Sequence, residues 1–174
     1  MSESNPRDVP ALRESQLHTV RNVPHTGMVV AVDVGKEVGR HPNLKKPIGL
    51  RLAKLARGQV YGEKIPITGP RFKEFSVEKA ELTIRFDHLP SGLKTKDGKA
   101  PTEFTLCGPD KKFHPALARI MENSIVLSNK EVTEPVAARY CWRNECFPNL
   151  FSQNGLPVEP FRTDTFELPV KNPN

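Results

Sequence analysis

The chain has a single tryptophan, two tyrosines and three cysteines among its 174 residues. Three thiols are an odd set, so at least one stays outside any intrachain disulfide, and a dense disulfide framework is excluded. Cys141 and Cys146 flank the tetrapeptide WRNE and can pair across a turn in an oxidising compartment, leaving Cys107 free as a buried or incidental thiol. Zinc needs about four ligands, and no second cysteine or histidine pair stands at ligand spacing near CWRNEC, so no metal and no cofactor is expected. No apolar run approaches the length that crosses a bilayer, and MSESNPRDVP lacks the apolar core of a signal peptide. A membrane partner is therefore not expected, no export address is visible, and the compartment stays open. A contiguous basic stripe is lacking too. The net charge of +6 is spread out, with pairs only at Lys45–Lys46 and Lys111–Lys112. A nucleic acid, which needs clustered cations along its phosphates, is not an expected partner. Internal repeats and low-complexity tracts are absent as well.

Proline is abundant, with 17 residues against 11 glycines. Its missing N–H breaks helices and ladders, so short elements joined by rigid turns are expected, above all in the second half. Residues 8–20 have helical spacing at Leu12, Gln16, Leu17 and Val20, with Asp8 as cap and Pro10 in the first turn. The run GMVVAVDV, residues 27–34, predicts a strand buried on both faces as in a parallel sheet. After the loop GKEVGRHPNLKK, residues 47–61 predict a second helix with Ile48, Leu52, Leu55 and Ala56 on one side. Past Gly62 the pattern changes to short β-branched or alternating runs, ITGPRF, AELTIRF, EFTLC, LARIM, SIVLS and VAARYCW, separated by turn residues. The expected organisation is an α/β piece over residues 1–61 followed by an antiparallel β-sandwich-like region over 62–174. One strand flanked by two helices cannot close a sheet, so the first part calls for more strands than it contains.

The loop after a parallel strand is where α/β proteins place functional groups. His41 stands there, followed by Pro42. An imidazole that titrates near neutrality can take a proton from an alcohol and return it to a leaving group, as ester hydrolysis requires. His88 and His114 fall in expected strands or their turns and read as structural. So do Ser15, inside a helix, and Ser91, in the turn PSGL, because a nucleophilic serine needs an exposed turn after a buried strand. Tyr140, Trp142, Arg143 and Arg162 could hold a sugar or a carboxylate, although core packing is expected of Trp142.

Taken in series, ALRESQ, HTGMVVAVDVG, RHPNLKKPIGLRLA, ITGPRFKEF, IRFDHLPSGL, FTLCGPDKKFHPA, VAARYCWRN and NLFSQNGLPVEPFRTD resemble the C-terminal part of sialate O-acetylesterases, carbohydrate esterases of the SGNH type. The resemblance covers about residues 11–166. It implies a partial SGNH-hydrolase three-layer fold ahead of the β-rich region, and an acetylated sugar as substrate. The histidine of the family's HP motif falls on His41, which it implies as general base; Asp33 matches the aspartate of the DIG stretch and is implied as the residue that orients the imidazole. Many such hydrolases place the acid three residues before the histidine, where this chain has Val38, and many relatives carry an aspartate two residues before it, where this chain has Gly39. The family's nucleophile sits in a GQSN-like block, which these 174 residues do not contain. A base without nucleophile and oxyanion donors accomplishes little, so the expectation is a C-terminal fragment, inactive alone, whose missing N-terminal half is a partner. The competing expectation is a non-catalytic β-sandwich module that binds carbohydrate or a neighbouring protein.

Overall fold

The computed structural model describes residues 9–35 and 44–168. Helix α1 spans Val9–Asn22, a single 3-10 turn spans Val32–Val34, and helix α2 spans Lys45–Gln59. Ten strands follow: β1 Arg71–Glu78, β2 Glu81–Asp87, β3 Leu93–Thr95, β4 Phe104–Cys107, β5 Phe113–Pro115, β6 Leu117–Met121, β7 Ser124–Ser128, β8 Ala137–Tyr140, β9 Leu150–Ser152 and β10 Phe161–Arg162. They form two four-stranded antiparallel sheets, ordered β1-β2-β7-β6 and β10-β8-β4-β5, and a two-stranded ribbon of β3 and β9. The molecule is thus mostly antiparallel sheet with two helices.

Side-chain alternation explains the pairing. In β2, Leu82, Ile84 and Phe86 point inward while Arg85 points to solvent, and β7 matches them with Ile125 and Leu127 in the registers Ile84↔Ile125 and Leu82↔Leu127. A one-residue slip would turn every one of these side chains outward, so the register is fixed by burial. The facing sheet contributes Phe104 and Leu106 from β4, Ala138 and Tyr140 from β8, and Phe161 from β10, all in the same apolar core. Phe161 joins the two sheets: its ring stacks on Phe72 of β1 at 5.0 Å and meets Phe86 of β2 edge-on at 6.1 Å. The hairpin turns at Lys79 and Glu122 bend the chain through positive φ, at 55° and 52°, as two-residue connections between right-twisted strands require.

Tyr140 is fully buried and its ring lies 4.5 Å from that of Phe104. Its hydroxyl finds no hydrogen-bond partner among the described residues. Burial pushes its titration well above the ordinary phenol range. A buried hydroxyl without a partner costs about 1–3 kcal/mol, so Tyr140→Phe is expected to raise the urea midpoint rather than lower it, and a loss of stability in that variant would show that the hydroxyl is satisfied.

Gly69 precedes β1 and runs beside the segment that leads into β10. A Cβ built on it would lie 1.9 Å from the Pro157 carbonyl oxygen and 2.9 Å from its carbon, both backbone atoms. The neighbouring bond from the Glu159 N–H to the Pro70 carbonyl, 3.0 Å, holds the two segments together. Backbone cannot rotate away as a side chain can, so Gly69→Ala is expected to cost about 1–3 kcal/mol by overpacking, read as a lower melting temperature.

The sequence expectations meet this architecture unevenly. Helix α1 and the β6 and β7 strands fall where they were expected, and α2 starts two residues before the expected Pro47. The expected strand at 27–34 is corrected: residues 27–31 form no regular element and belong to no sheet, and 32–34 form the 3-10 turn. The physical reason is the lack of a neighbouring strand among the described residues. Side chains of α2 serve backbone carbonyls here instead, with Arg51 Nη1 donating to the Val30 carbonyl at 2.7 Å and Gln59 Nε2 donating to that of Thr26, just before the segment, at 2.8 Å. ITGPRF is likewise shifted, because the strand begins only at Arg71 and continues to Glu78.

Candidate active site

Asp33 lies in the 3-10 turn Val32–Val34, and α2 carries Arg51 against it. The contact is a two-pronged ion pair, with Arg51 Nη1 on Oδ1 at 2.7 Å and Nη2 on Oδ2 at 2.6 Å. Both side chains are nearly buried, 10% exposed for Arg51 and 7% for Asp33. The fork geometry of guanidinium and carboxylate fixes Asp33 in one orientation. A carboxylate offers about four lone-pair sites, so two guanidinium bonds leave room for one more donor such as an imidazole N–H. His41, the expected base, lies outside the described residues, in the connection between Gly35 and Leu44.

Beside this pair runs a shallow crevice open to solvent, with room for about one water molecule. Met28, Val29 and Val30 form one wall, Thr68 and Gly69 another, and Arg51 and Glu159 supply its charges. Glu159 is buried; Arg71 Nε donates to its Oε1 at 2.8 Å, while Oε2 faces the Arg21 guanidinium at 3.5 Å and accepts no hydrogen bond among the described residues. The crevice therefore lies where residues 28–30, α2, the chain before β1 and the chain entering β10 converge. Among the described residues no cluster of His, Cys, Asp and Glu could hold a metal ion, and no helix is long and apolar enough to cross a membrane.

Sequence reasoning missed Arg51 and Glu159. The expected apolar side of α2 included Leu52, yet Leu52 is 49% exposed and Leu50 61%, while Arg51 and Leu55 are buried. The available signal was the spacing of Arg51 four residues before Leu55, which puts the two on one face, and the presence of a single acidic residue, Asp33, in the apolar run it packs against. Glu159 carried no signal beyond its setting among Pro157, Val158 and Pro160, which gives a charged residue an apolar environment.

The other candidates scatter. His88 and Ser91 lie in and beside the turn after β2, and His114 on β5 sits 3.0 Å from Glu131. Trp142 is corrected from core to half-buried surface: its ring lies between the guanidinium groups of Arg139 and Arg162, 5.6 and 5.4 Å away. Both arginines are already engaged. Arg139 forks onto Asp164 at 2.7 and 2.8 Å, and Arg162 forks onto Glu14 of α1 at 2.9 and 3.1 Å. Burial pushes the Asp164 carboxyl up, but the bonds from Arg139 outweigh it and hold Asp164 below the usual carboxylate range. Arg143 pairs with Glu103 at 2.7 Å. These contacts fasten α1 and the loop after β8 to the β-rich region.

No protein-family model and no curated protein matches the chain. A solved structure does: the crystal structure of a carbohydrate acetylesterase from Xanthomonas citri superposes with a TM-score of 0.84 and is 39% identical over 89% of this chain. The chain spans 36% of that protein's length, a little over one third. In sequence and in fold, this protein is kin to a carbohydrate acetylesterase.

Proposed function

We propose that these residues form the base-bearing part of a serine carbohydrate esterase of the SGNH type, related to sialate O-acetylesterases, that hydrolyses acetyl esters on sugars. The observation that carries this reading is the likeness to the Xanthomonas citri carbohydrate acetylesterase at 39% identity along nearly the whole chain. In this reading residues 1–61 belong to the esterase domain and 62–174 form its β-rich companion. His41 takes the proton from a serine hydroxyl as that oxygen attacks the acetyl carbonyl, and returns it to the departing sugar hydroxyl. Water then enters, gives its proton to His41, and releases acetate. Asp33 orients the imidazole, and Arg51 fixes Asp33; the bidentate ion pair, with lone pairs to spare on the carboxylate, supports that chain of positioning.

The serine and the oxyanion donors come from polypeptide outside these 174 residues. The N-terminal half that would supply them is the partner in this reading. Two features support it: the segment 27–31, which pairs with no strand among the described residues, and the apolar side chains that α2 leaves in solvent, Leu50 among them. The test is acetate release from O-acetylated sialic acid, with another O-acetylated sugar in parallel. The chain alone is expected to release none, and the chain combined with a polypeptide carrying a GQSN-like serine block is expected to release it. Absence of release from every acetylated sugar by the combination would overturn the proposal, whereas release only from the other sugar would confine the error to the sialate assignment.

A further inference from the structure

We propose that Cys141 and Cys146 form an oxidisable dithiol, that Cys146 reacts first, and that a hydroperoxide is the class of oxidant it meets. The inference stands apart from the esterase chemistry. It begins with the loop that leaves β8. Cys141 takes a positive φ of 50°, turning the chain so that residues 142–145 arch outward and Cys146 returns beside it. Both thiols are free and buried, and one guanidinium touches the backbone of the first and the sulfur of the second.

Helix α1 places one cation over this loop. Arg13 donates through Nη1 to the Cys141 carbonyl at 2.9 Å and to Cys146 Sγ at 3.7 Å, and through Nη2 to the carbonyls of Arg143 at 2.6 Å and Asn144 at 3.1 Å. Its three carbonyl bonds hold the guanidinium in place, so the sulfur contact is built in rather than incidental. The opposing charge is Glu103, whose Oε1 is already occupied by Arg143 and by the Phe147 N–H. The two thiols consequently differ. The hydrogen bond from Cys141 lowers Cys146 below the ordinary thiol range against its burial, with Arg13 helping, while burial drives Cys141 well up. A thiolate stabilised by a cation beside a neutral thiol is the pairing that reacts with oxidants and then closes. Cys107 supplies the contrast, because burial, helped by Asp164, raises its thiol.

The steps balance. The Cys146 thiolate attacks one peroxide oxygen, the O–O bond breaks, Cys146 becomes a sulfenic acid, and the departing oxygen takes a proton to leave as water or an alcohol. The Cys141 sulfur then attacks Cys146 Sγ, the S–S bond forms, the S–O bond breaks, and the hydroxyl leaves with the Cys141 proton as water. Two thiols lose two electrons, and the peroxide is reduced by the same two.

The experiment treats the purified chain with stoichiometric hydrogen peroxide, blocks remaining thiols with iodoacetamide under denaturing conditions, and maps the peptides by mass spectrometry. The expected product is a cross-link between Cys141 and Cys146, lighter by two hydrogens, with alkylation confined to Cys107. Arg13→Met is expected to slow that oxidation by roughly tenfold. In Cys141→Ser, the sulfenic acid on Cys146 has no thiol to close on and is expected to be trapped by dimedone; Cys146→Ser is expected to give no adduct at Cys141. Full alkylation of all three cysteines after peroxide, or Cys107 oxidising as fast as Cys146, overturns the proposal, and because both are read on the unaltered chain they decide it even if a variant misfolds.

Discussion

Replacing Arg51 by methionine is expected to lower the free energy of unfolding by about 3–5 kcal/mol, measured by urea denaturation. The size follows from what is left behind. Methionine keeps much of the apolar stem but removes both bonds to Asp33 and the bond to the Val30 carbonyl. Asp33, with only 7% of its side chain exposed, would then be a buried carboxylate without its counter-charge. An exposed pair would be worth about 1 kcal/mol or less, so the burial decides the magnitude. The double replacement Arg51→Met with Asp33→Leu is expected to recover most of the loss, because burying neither charge avoids the desolvation that burying one incurs. A single-variant loss under about 1 kcal/mol would mean that water reaches the pair and that Asp33 is not fixed by it.

The same pair shows how far the amino-acid pattern reaches. The β-rich half was legible where a strand carries several apolar side chains to the core: ELTIRFD and SIVLS each bring two or three, and they occupy β2 and β7, whereas the mostly exposed β1 was misplaced. Strands β3, β5, β9 and β10 have only two or three residues, too few for a period to show, and they exist because longer neighbours offer them a ladder. The run GMVVAVDV has the composition of a parallel strand, yet composition cannot supply the adjacent strands whose N–H and C=O groups make one. It joins no sheet among the described residues and rests on α2, where Arg51 bonds the Val30 carbonyl. Helix α2 misled for a related reason. Its leucines were expected to face this chain's own core, and the residue that faces inward is an arginine answering Asp33. Asp33 drew notice through the resemblance alone, whereas Arg51 and Glu159 did not, since the partners they meet in the fold lie 18 and 88 residues away.

The second large effect concerns His41. A general base positioned for acyl transfer contributes on the order of 10²–10⁴-fold in rate, and removing a triad member costs at the upper end of that range. In the proposed arrangement His41→Ala is expected to act on turnover. Asp33→Asn is expected to reduce stability as well, because Arg51 loses its charged partner.

The most direct test is the turnover of an acetylated sugar by the combination of this chain with the serine-bearing polypeptide, comparing native His41 with His41→Ala under matched folding, checked by circular dichroism. A fall in kcat of about 10³-fold or more with KM little changed is the predicted result. Undiminished turnover in the alanine variant would contradict the account, since the proton would then be moved by another group and the likeness to the acetylesterase would extend to shape without chemistry.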